Sequence, residues 1–417
     1  MPCGTDSEII PLMGGNGNRI VIIGAGAAGC FCAVEAKRCH PESEVLVLES
    51  GSRPMVKLAL TGGGRCNITN TFGTAGDLGG VYPRGARLVK RLFYSFGPSD
   101  TVEWWENEGV SLFAQDDERV FPKSQDALQV VRTLERLMKE LGVKLVCNSK
   151  VATVRKDDGF VVHTVTGESY PCAAVVLTAG GLSDQVLARM LPEGVSVIPT
   201  VPSLFTFRIS DESLRSLMGL SVPEAALCIP GTQFRSSGAL LLTDWGVSGP
   251  AVLRMSSYAA RYLSAEQYRT PLLVNWTGMS ESEIRSCMEV VSRGNPARMI
   301  GNAPVAAIPE RLWRYLVQKA GIGPEQRWAE LGSKSINRLV SVLSGTELQV
   351  TGRAAFKEEF VTCGGVSLES VKANTLEAVN VPGLFFAGEV LDIDAVTGGF
   401  NLQAAWTTAY VAAHSLL

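Results

Sequence analysis

The stretch Arg19–Glu49, RIVIIGAGAAGCFCAVEAKRCHPESEVLVLE, decides the fold. RIVIIG is an apolar run of a length that suits one buried strand, GAGAAG is a turn, CFCAVEAKRC reads as a helix and EVLVLE as a second strand. Strand, helix and strand in that order make a βαβ unit and imply a parallel sheet. The turn has the spacing Gly24-x-Gly26-x-x-Gly29, with Ala27 and Ala28 between the last two glycines, and Glu49 ends the second strand 20 residues after Gly29, followed by Ser50. That spacing alone is common. Placed between a buried strand and a helix, with an acid closing the next strand, it is the context of a dinucleotide fingerprint. Gly24 then makes the tight turn, Gly26 admits a pyrophosphate and Gly29 lets helix pack on strand. The helix N-terminus offers unpaired N–H groups and a positive dipole end to the phosphates, and Glu49 accepts hydrogen bonds from ribose hydroxyls. These residues leave the choice between a nicotinamide and a flavin dinucleotide open.

A second stretch, LTGGGRCNITN (Leu60–Asn70), sets three consecutive glycines against Arg65, Cys66 and Asn67. By itself it reads as a phosphate cradle, a redox cysteine or a plain loop. Three adjacent glycines cost conformational entropy that a solvent loop has no need to spend.

Bulk properties narrow the field. The chain has 417 residues, 46% hydrophobic and 19% charged, with 43 glycines, which fits a glycine-rich α/β protein of two or three domains. A net charge of -3 gives no overall attraction to nucleic acid or to an acidic membrane, so neither is expected as a partner. The ten cysteines show no CxxC or paired metal-binding pattern, and reduced thiols in a cytoplasmic protein are expected. AAGC before Cys30 mimics a lipoprotein cleavage site, but the glycines interrupt the apolar run and about 15 residues is short for a membrane span.

Along the chain, residues 1–18 read as a loose leader. Ser124–Leu141 sets Leu128, Val131, Leu134, Met138 and Leu141 at helical spacing, a face expected to pack on a sheet. Short runs after Gly142, including VATVRK and FVVHTV, suggest a small antiparallel meander that returns at VVLTAGG (Val175–Gly181) to the parallel sheet. From about Val195 the runs SLFTFRI, AALCI and SSGALLLTDWG read as strands, and VSGPAVLRMSSYAARYL as a helix. SESE at Ser280–Glu283 fits a capping box. Further helical runs make 272–344 a helical insert before the chain returns through ELQVTG and FKEEFVTCGGVS to a strand and a last apolar helix.

The carboxyl-terminal GLFFAGEVLDIDAVTGGFNLQ (Gly383–Gln403) and the central VVLTAGG, taken with the fingerprint, resemble the FAD-binding halves of glutathione-reductase-like flavoproteins. With GGGRCN-x-TN, RVFP (Arg119–Pro122), LLTDWGVSGPAVL (Leu241–Leu253) and CGGVSL added, the chain from Arg19 to Leu417 resembles the HI0933-like flavoproteins, the aminoacetone-oxidase-like or bile-acid-reductase-like FAD enzymes.

That resemblance implies a split Rossmann-like FAD-binding domain (19–193 and 359–417) interrupted by an inserted β-rich domain (194–271, returning at 345–358) that carries the helical subdomain 272–344. It implies non-covalent FAD, with Gly24, Gly26, Ala27, Ala28 and Gly29 at the pyrophosphate and Glu49 and Ser50 at the ribose. Gly63, Gly64, Arg65, Cys66 and Asn67 would run toward the flavin. Val151 would meet the adenine through its backbone, and Ala179 and Gly180 belong to the central motif. Gly388 and Glu389 would meet the ribityl or phosphate region, while Gly398, Gly399, Asn401 and Leu402 present a helix N-terminus to the O2 and N1 edge, where a positive dipole end suits anionic reduced flavin. Thr61 stands where the family often has Ser, and Ala395-Val396 where a Gly-Pro-like pair is common; both bear on substrate fit.

No catalytic residue follows from the sequence. Cys66 reads as positional, since no second thiol lies within 25 residues. Asp392 and Asp394 could supply a proton or be solvated loop acids. His40, His163 and His414 read as structural, and Trp104, Trp105 and Trp406 as packing residues. The expected activity is NAD(P)H-dependent reduction of a conjugated small molecule, with NAD(P)H visiting transiently because no second GxGxxG occurs. A flavin oxidase of a small amine or amino-ketone, and a non-catalytic FAD protein, are the alternatives.

Overall fold

The computed structural model describes residues 18–74, 77–354 and 361–416. Its centre is a five-stranded sheet in the order Leu384–Phe386, Ala174–Leu177, Arg19–Ile23, Glu44–Leu48, Lys144–Val146, parallel at every pairing. The inner strands are apolar on both faces because both faces are covered. On one side lie the fingerprint helix Ala27–Cys39 and the terminal helix Phe400–His414. The terminal helix is apolar all round and buried along most of its length, as a core helix must be. Phe31 packs 4.6 Å from Trp104 and 5.4 Å from Trp406, and Trp105 lies 5.4 Å from Trp406, so all three tryptophans are packing residues. The opposite side is closed by the antiparallel meander Val151–Lys156, Phe160–Thr164, Ser169–Cys172.

The helix expected at Ser124–Leu141 spans Ala127–Glu140, capped by the Asp126 carboxylate, which accepts from the Leu128 N–H. Its buried face is Ala127, Val130, Val131, Leu134, Leu137 and Met138, while Leu128, beside that face, points to solvent at 44% exposure.

The chain between 204 and 354 builds a closed six-stranded barrel in the order Phe207–Ile209, Gly246–Ser248, Arg235–Leu242, Ser221–Cys228, Thr270–Asn275, Thr346–Arg353, with antiparallel pairing throughout. The run VSGPAVLRMSSYAARYL gives the short strand Gly246–Ser248 and two helices, Pro250–Tyr258 and Ala260–Ala265. Helices Glu281–Gly294, Glu310–Lys319 and Ser333–Gly345 are threaded between the last two barrel strands, and the expected boundary at 272 falls inside the strand Thr270–Asn275. Ser280 and Glu283 form the capping box that SESE announced. FKEEF lies outside the described residues.

Barrel and sheet are joined by an antiparallel pair, Val197–Ser203 with Val361–Val366. The CGGV motif sits in this joint. A Cβ on Gly364 would stand 2.3 Å from the Pro199 carbonyl oxygen, and one on Gly365 2.3 Å from that of Val390, so backbone crosses backbone where no side chain fits.

Candidate functional site

The fingerprint turn is shaped by three backbone approaches. Gly24 has φ +101° and its Cβ position lies 2.6 Å from Ala179 Cα; a Cβ on Gly29 would stand 1.9 Å from the Gly24 carbonyl oxygen and 2.6 Å from Thr178 Oγ1. Thr178 fixes this contact by donating to the carbonyls of Ile23 (3.0 Å) and Gly24 (2.8 Å). Gly26, in contrast, has nothing within 4 Å of its Cβ position, and no side chain caps the helix that begins at Ala27. The middle glycine and the uncapped helix start, with Ala28 buried, together leave a cradle with free amide donors.

Glu49 closes one end of this cradle. Its Oε2 accepts from the Ala25 N–H at 2.8 Å and its Oε1 from the Gly51 N–H at 2.6 Å and from Ser50 Oγ at 3.1 Å. The half-buried carboxylate is thereby oriented and keeps lone pairs for a hydroxyl. The Ser149 N–H donates to the Glu49 carbonyl at 2.7 Å, which brings Val151, the buried first residue of the meander, beside the same end.

The other end is assembled from segments more than 300 residues apart. The helix Val56–Gly64 breaks at Thr61 (ψ 148°), and Gly62, Gly63, Gly64 and Cys66 all take left-handed φ between 59° and 83°. Gly63 and Gly64 have open space at their Cβ positions. Beyond them the loop is stitched to the start of the terminal helix. Thr69 Oγ1 donates to Gln403 Oε1 (2.5 Å) and Asn70 Nδ2 to the Gly398 carbonyl (3.2 Å). Asn67, with its amide oriented to suit its neighbours, accepts from the Gly399 N–H at 2.9 Å. RVFP supports the loop from beneath: Val120 pairs with Thr69, and buried Phe121 carries the Arg65 guanidinium 4.6 Å above its ring. Asn401 spends both halves of its amide on the Ala395 backbone, at 2.9 and 3.0 Å, while Leu402 packs against the core.

Between the two ends, Glu389 Oε1 accepts from the Thr362 N–H at 2.8 Å and its Oε2 faces Gly180, beside Ala179. Gly388 donates to Thr408 Oγ1 at 2.9 Å. The fingerprint, central and terminal motifs therefore meet, Gly24 against Ala179 and Gly388 against Ala28.

Three side chains read as candidates for chemistry are placed elsewhere in the energetics. Cys66 is fully buried, and burial pushes its thiol up to about 12. Asp394 is fully buried: Arg84 Nε donates to its Oδ1 at 2.5 Å, Arg84 Nη2 and Ser203 Oγ (2.9 Å) donate to its Oδ2, and Arg84 Nη1 reaches the Ser257 carbonyl at 2.7 Å. Burial raises its carboxyl against the pull of Arg84 and Ser203. Asp392 accepts from Arg261 Nη2 at 2.8 Å on each oxygen. Asp392 ties the terminal segment to the inserted part of the chain through Arg261, and Asp394 ties it to Arg84 of the cofactor half and Ser203 of the joint strand, with Arg84 reaching on to Ser257. Arg84, Thr178, Ser203, Arg261 and Gln403 were not singled out from the sequence. Thr178, inside VVLTAGG, and Gln403, the last residue of the carboxyl-terminal motif, carried a signal; all five have partners over a hundred residues away.

Among the described residues no group of three or more His, Cys, Asp or Glu side chains could hold a metal ion, and no helix is long and apolar enough to cross a membrane. The HI0933-like protein Rossmann domain matches residues 18–415. The chain belongs to the HI0933-like family. This HI0933-like protein is 30% identical over 412 residues to a ribosomal RNA dihydrouridine synthase of Escherichia coli strain K12, covering 95% of this chain and 97% of the relative. It is 27% identical over 407 residues to the 3-dehydro-bile acid delta(4,6)-reductase of Clostridium scindens, covering 95% and 98%. Among solved structures, a 3-ketosteroid delta1-dehydrogenase from Sterolibacterium denitrificans aligns over 96% of this chain and 99% of its own, with a TM-score of 0.49 and 14% identity. Family membership makes the chain an FAD-dependent oxidoreductase. Its residues fit that group: the cradle at Gly26 is open, the helix start is uncapped, Glu49 is oriented, and Gly63 and Gly64 have open faces.

Proposed function

We propose that this protein reduces a carbon–carbon double bond conjugated with a carbonyl, that NAD(P)H is the transient electron donor, and that the double bond is the C5=C6 bond of a uracil within RNA. The observation that carries the reading is the near full-length relation, at 30% identity, to a ribosomal RNA dihydrouridine synthase. The bile-acid reductase supports the same bond chemistry. In an enone, hydride adds at the β-carbon and a proton at the α-carbon; in uracil, C6 is the β-carbon and C5 the α-carbon relative to the C4 carbonyl. One arrangement of cofactor and acid serves both.

FAD, when bound, supplies a two-electron carrier between donor and double bond. The chain's own residues bind and orient it: the amides at the start of Ala27–Cys39 take the pyrophosphate, Glu49 the ribose, and the loop 62–67 with the start of the terminal helix the flavin end. Charge distribution favours RNA over a free small molecule. The net charge of -3 conceals a division, since residues 194–354 hold 16 Lys and Arg against 12 Asp and Glu, while the rest of the chain holds 22 against 29. The basic part is the part that would meet a large substrate.

The test is an anaerobic spectrum of the purified protein titrated with NADPH and NADH, followed by either a uridine-containing ribosomal RNA or a steroid enone. Bleaching of the flavin, then recovery of its colour on adding RNA with gain of two hydrogens on a uridine, is the expected result. Recovery with the enone alone would shift the substrate to small molecules, and rapid recovery in air alone would make the protein an oxidase.

A further inference from the structure

The inserted barrel carries a groove of about 590 Å³ that belongs to none of the elements around the cofactor cradle. It runs over strands Ser221–Cys228, Arg235–Leu242 and Thr270–Asn275 beside the helix Pro250–Tyr258; Arg235, Ser236, Ser237, Arg254, Tyr258, Asn275 and Ser344 are its polar lining, set on a mostly apolar surface that includes Ala226, Leu227, Cys228 and Leu273. No acidic residue lines it. Its two arginines are held by carbonyls instead of carboxylates. Arg235 Nη1 donates to the Thr232 and Phe234 carbonyls at 2.9 and 2.8 Å, and Arg254 Nη1 to the Ser237 carbonyl at 3.2 Å. Neither has an ion-pair partner among the described residues, whereas Arg84 and Arg261 nearby are both paired with aspartate. Each guanidinium is thus positioned and still carries its full charge and several free donors.

The groove also opens toward the joint with the cofactor half. Tyr258, in its lining, donates to the Gly80 carbonyl at 2.9 Å, and the preceding residue, Ser257, accepts from Arg84, the partner of Asp394. From Asp394 the chain runs five residues to Gly399 and the start of the terminal helix. A polyanion whose reacting base lay at that helix start could continue along the barrel into the groove.

We propose that this groove binds the phosphate backbone of the RNA substrate, with Arg235 and Arg254 as the phosphate-contacting residues. The inference rests on the RNA reading of the function given above. Guanidinium groups without carboxylate partners, flanked by serine hydroxyls and an asparagine amide, match phosphate oxygens, and such contacts position a nucleic acid without reading its sequence.

The experiment measures binding of a fluorescein-labelled RNA hairpin with uridines in its loop to the FAD-loaded protein, by anisotropy over a series of KCl concentrations. Compared are the wild type, Arg235→Gln/Arg254→Gln, Arg235→Lys/Arg254→Lys, and Arg132→Gln on the cofactor half as a control. The double glutamine variant should bind at least about tenfold more weakly, as expected for two lost charge-assisted contacts, and its slope of log affinity against log salt should be shallower by about 0.7 per arginine. The double lysine variant should recover most of the slope, and Arg132→Gln should match the wild type. Flavin content and melting temperature confirm that each variant is folded. If wild type and Arg235→Gln/Arg254→Gln share the same affinity and slope while the wild type converts uridine, the groove is overturned and the RNA reading stands. If the wild type neither binds nor converts RNA, the RNA reading fails and the groove proposal with it.

Discussion

The first glycine turn of the chain and the last have similar composition and opposite use. At Gly24–Gly29 two glycines are crowded by backbone and the third, Gly26, faces empty space. At Gly398–Gly399 both are occupied: a Cβ on Gly399 would stand 2.4 Å from the Thr69 carbonyl oxygen, its N–H is held by Asn67, and Gly398 lies against the Phe400 ring. The first turn leaves a space that a pyrophosphate would fill, and the second fastens the loop 62–70 to the start of the terminal helix. A glycine therefore has one of two jobs here, and substitution separates them. Gly29→Ala should give the largest effect of any single methyl in the protein, because the added carbon meets the Gly24 carbonyl oxygen at 1.9 Å and the strand–helix contact must open. The expected outcome is a protein with no flavin and a strongly lowered melting temperature. Gly26→Ala should melt like the wild-type apoprotein and yet lose FAD affinity, measured by fluorescence titration of the apoprotein. A Gly26→Ala variant that binds FAD normally would remove the pyrophosphate from the cradle.

The next effect in size concerns the two ion pairs of the terminal segment. Asp394 is fully buried and Arg84 nearly so, and removing one partner of such a pair leaves an uncompensated charge at a cost of about 3–5 kcal/mol. Arg84→Met should lower the unfolding free energy by that amount in urea titrations, more than Arg261→Met, whose pair with Asp392 is partly solvated. The double variant Arg84→Met/Asp394→Leu should recover much of the loss, since two apolar side chains leave no charge unpaired. Equal losses for Arg84→Met and Arg261→Met would contradict the ranking of the two ties by burial.

These partnerships also explain what could be read from the sequence. The cradle was legible because its grammar is local: glycine spacing, the flanking strand and helix, and Glu49 all fall within 31 residues. The capping box at Ser280 and Glu283 was legible for the same reason. The barrel was readable only as a set of strands, since closure depends on Phe207–Ile209 pairing with Thr346–Arg353 across the whole insert, and alternation within a strand does not name its neighbour. The ion pairs of Asp392 and Asp394 were not legible because their partners, Arg261 and Arg84, lie 131 and 310 residues away. Leu128 was placed in a buried face by its spacing alone; Val131, Leu134 and Met138 of that face are buried, while Leu128 at its first turn is exposed.

Glu49 gives a smaller effect that sharpens the view of the first turn as a binding space. Glu49→Gln keeps one acceptor oxygen and puts an amide donor against either the Ala25 N–H or the Gly51 N–H. The charge-assisted contact to a ribose hydroxyl is lost with it, a change of about 1.5–3 kcal/mol, or roughly ten- to a hundredfold in FAD dissociation constant. Stability of the apoprotein should fall much less than the affinity does. A loss of stability without a loss of affinity would make Glu49 a brace for the turn and nothing more.

The smallest effect is expected at Cys66. Its position between the glycines and Asn67 invites a role in electron transfer, and its backbone is left-handed at φ 59°, a conformation uncommon outside glycine. Chemistry at sulfur requires the thiolate, however, and burial pushes this thiol up to about 12. At pH 7 to 9 it stays protonated, so any rise in turnover across that range comes from another group. Cys66→Ser keeps a small polar side chain next to Thr61 at a stability cost of about 1 kcal/mol. It should retain its FAD, its turnover and the shape of the wild-type pH profile, and Cys66 in the native protein should react slowly with iodoacetamide at pH 8. Loss of turnover with FAD and melting temperature preserved would give the thiol a chemical role and make the second glycine turn, which holds this loop in place, part of the catalytic machinery as well as a fastening.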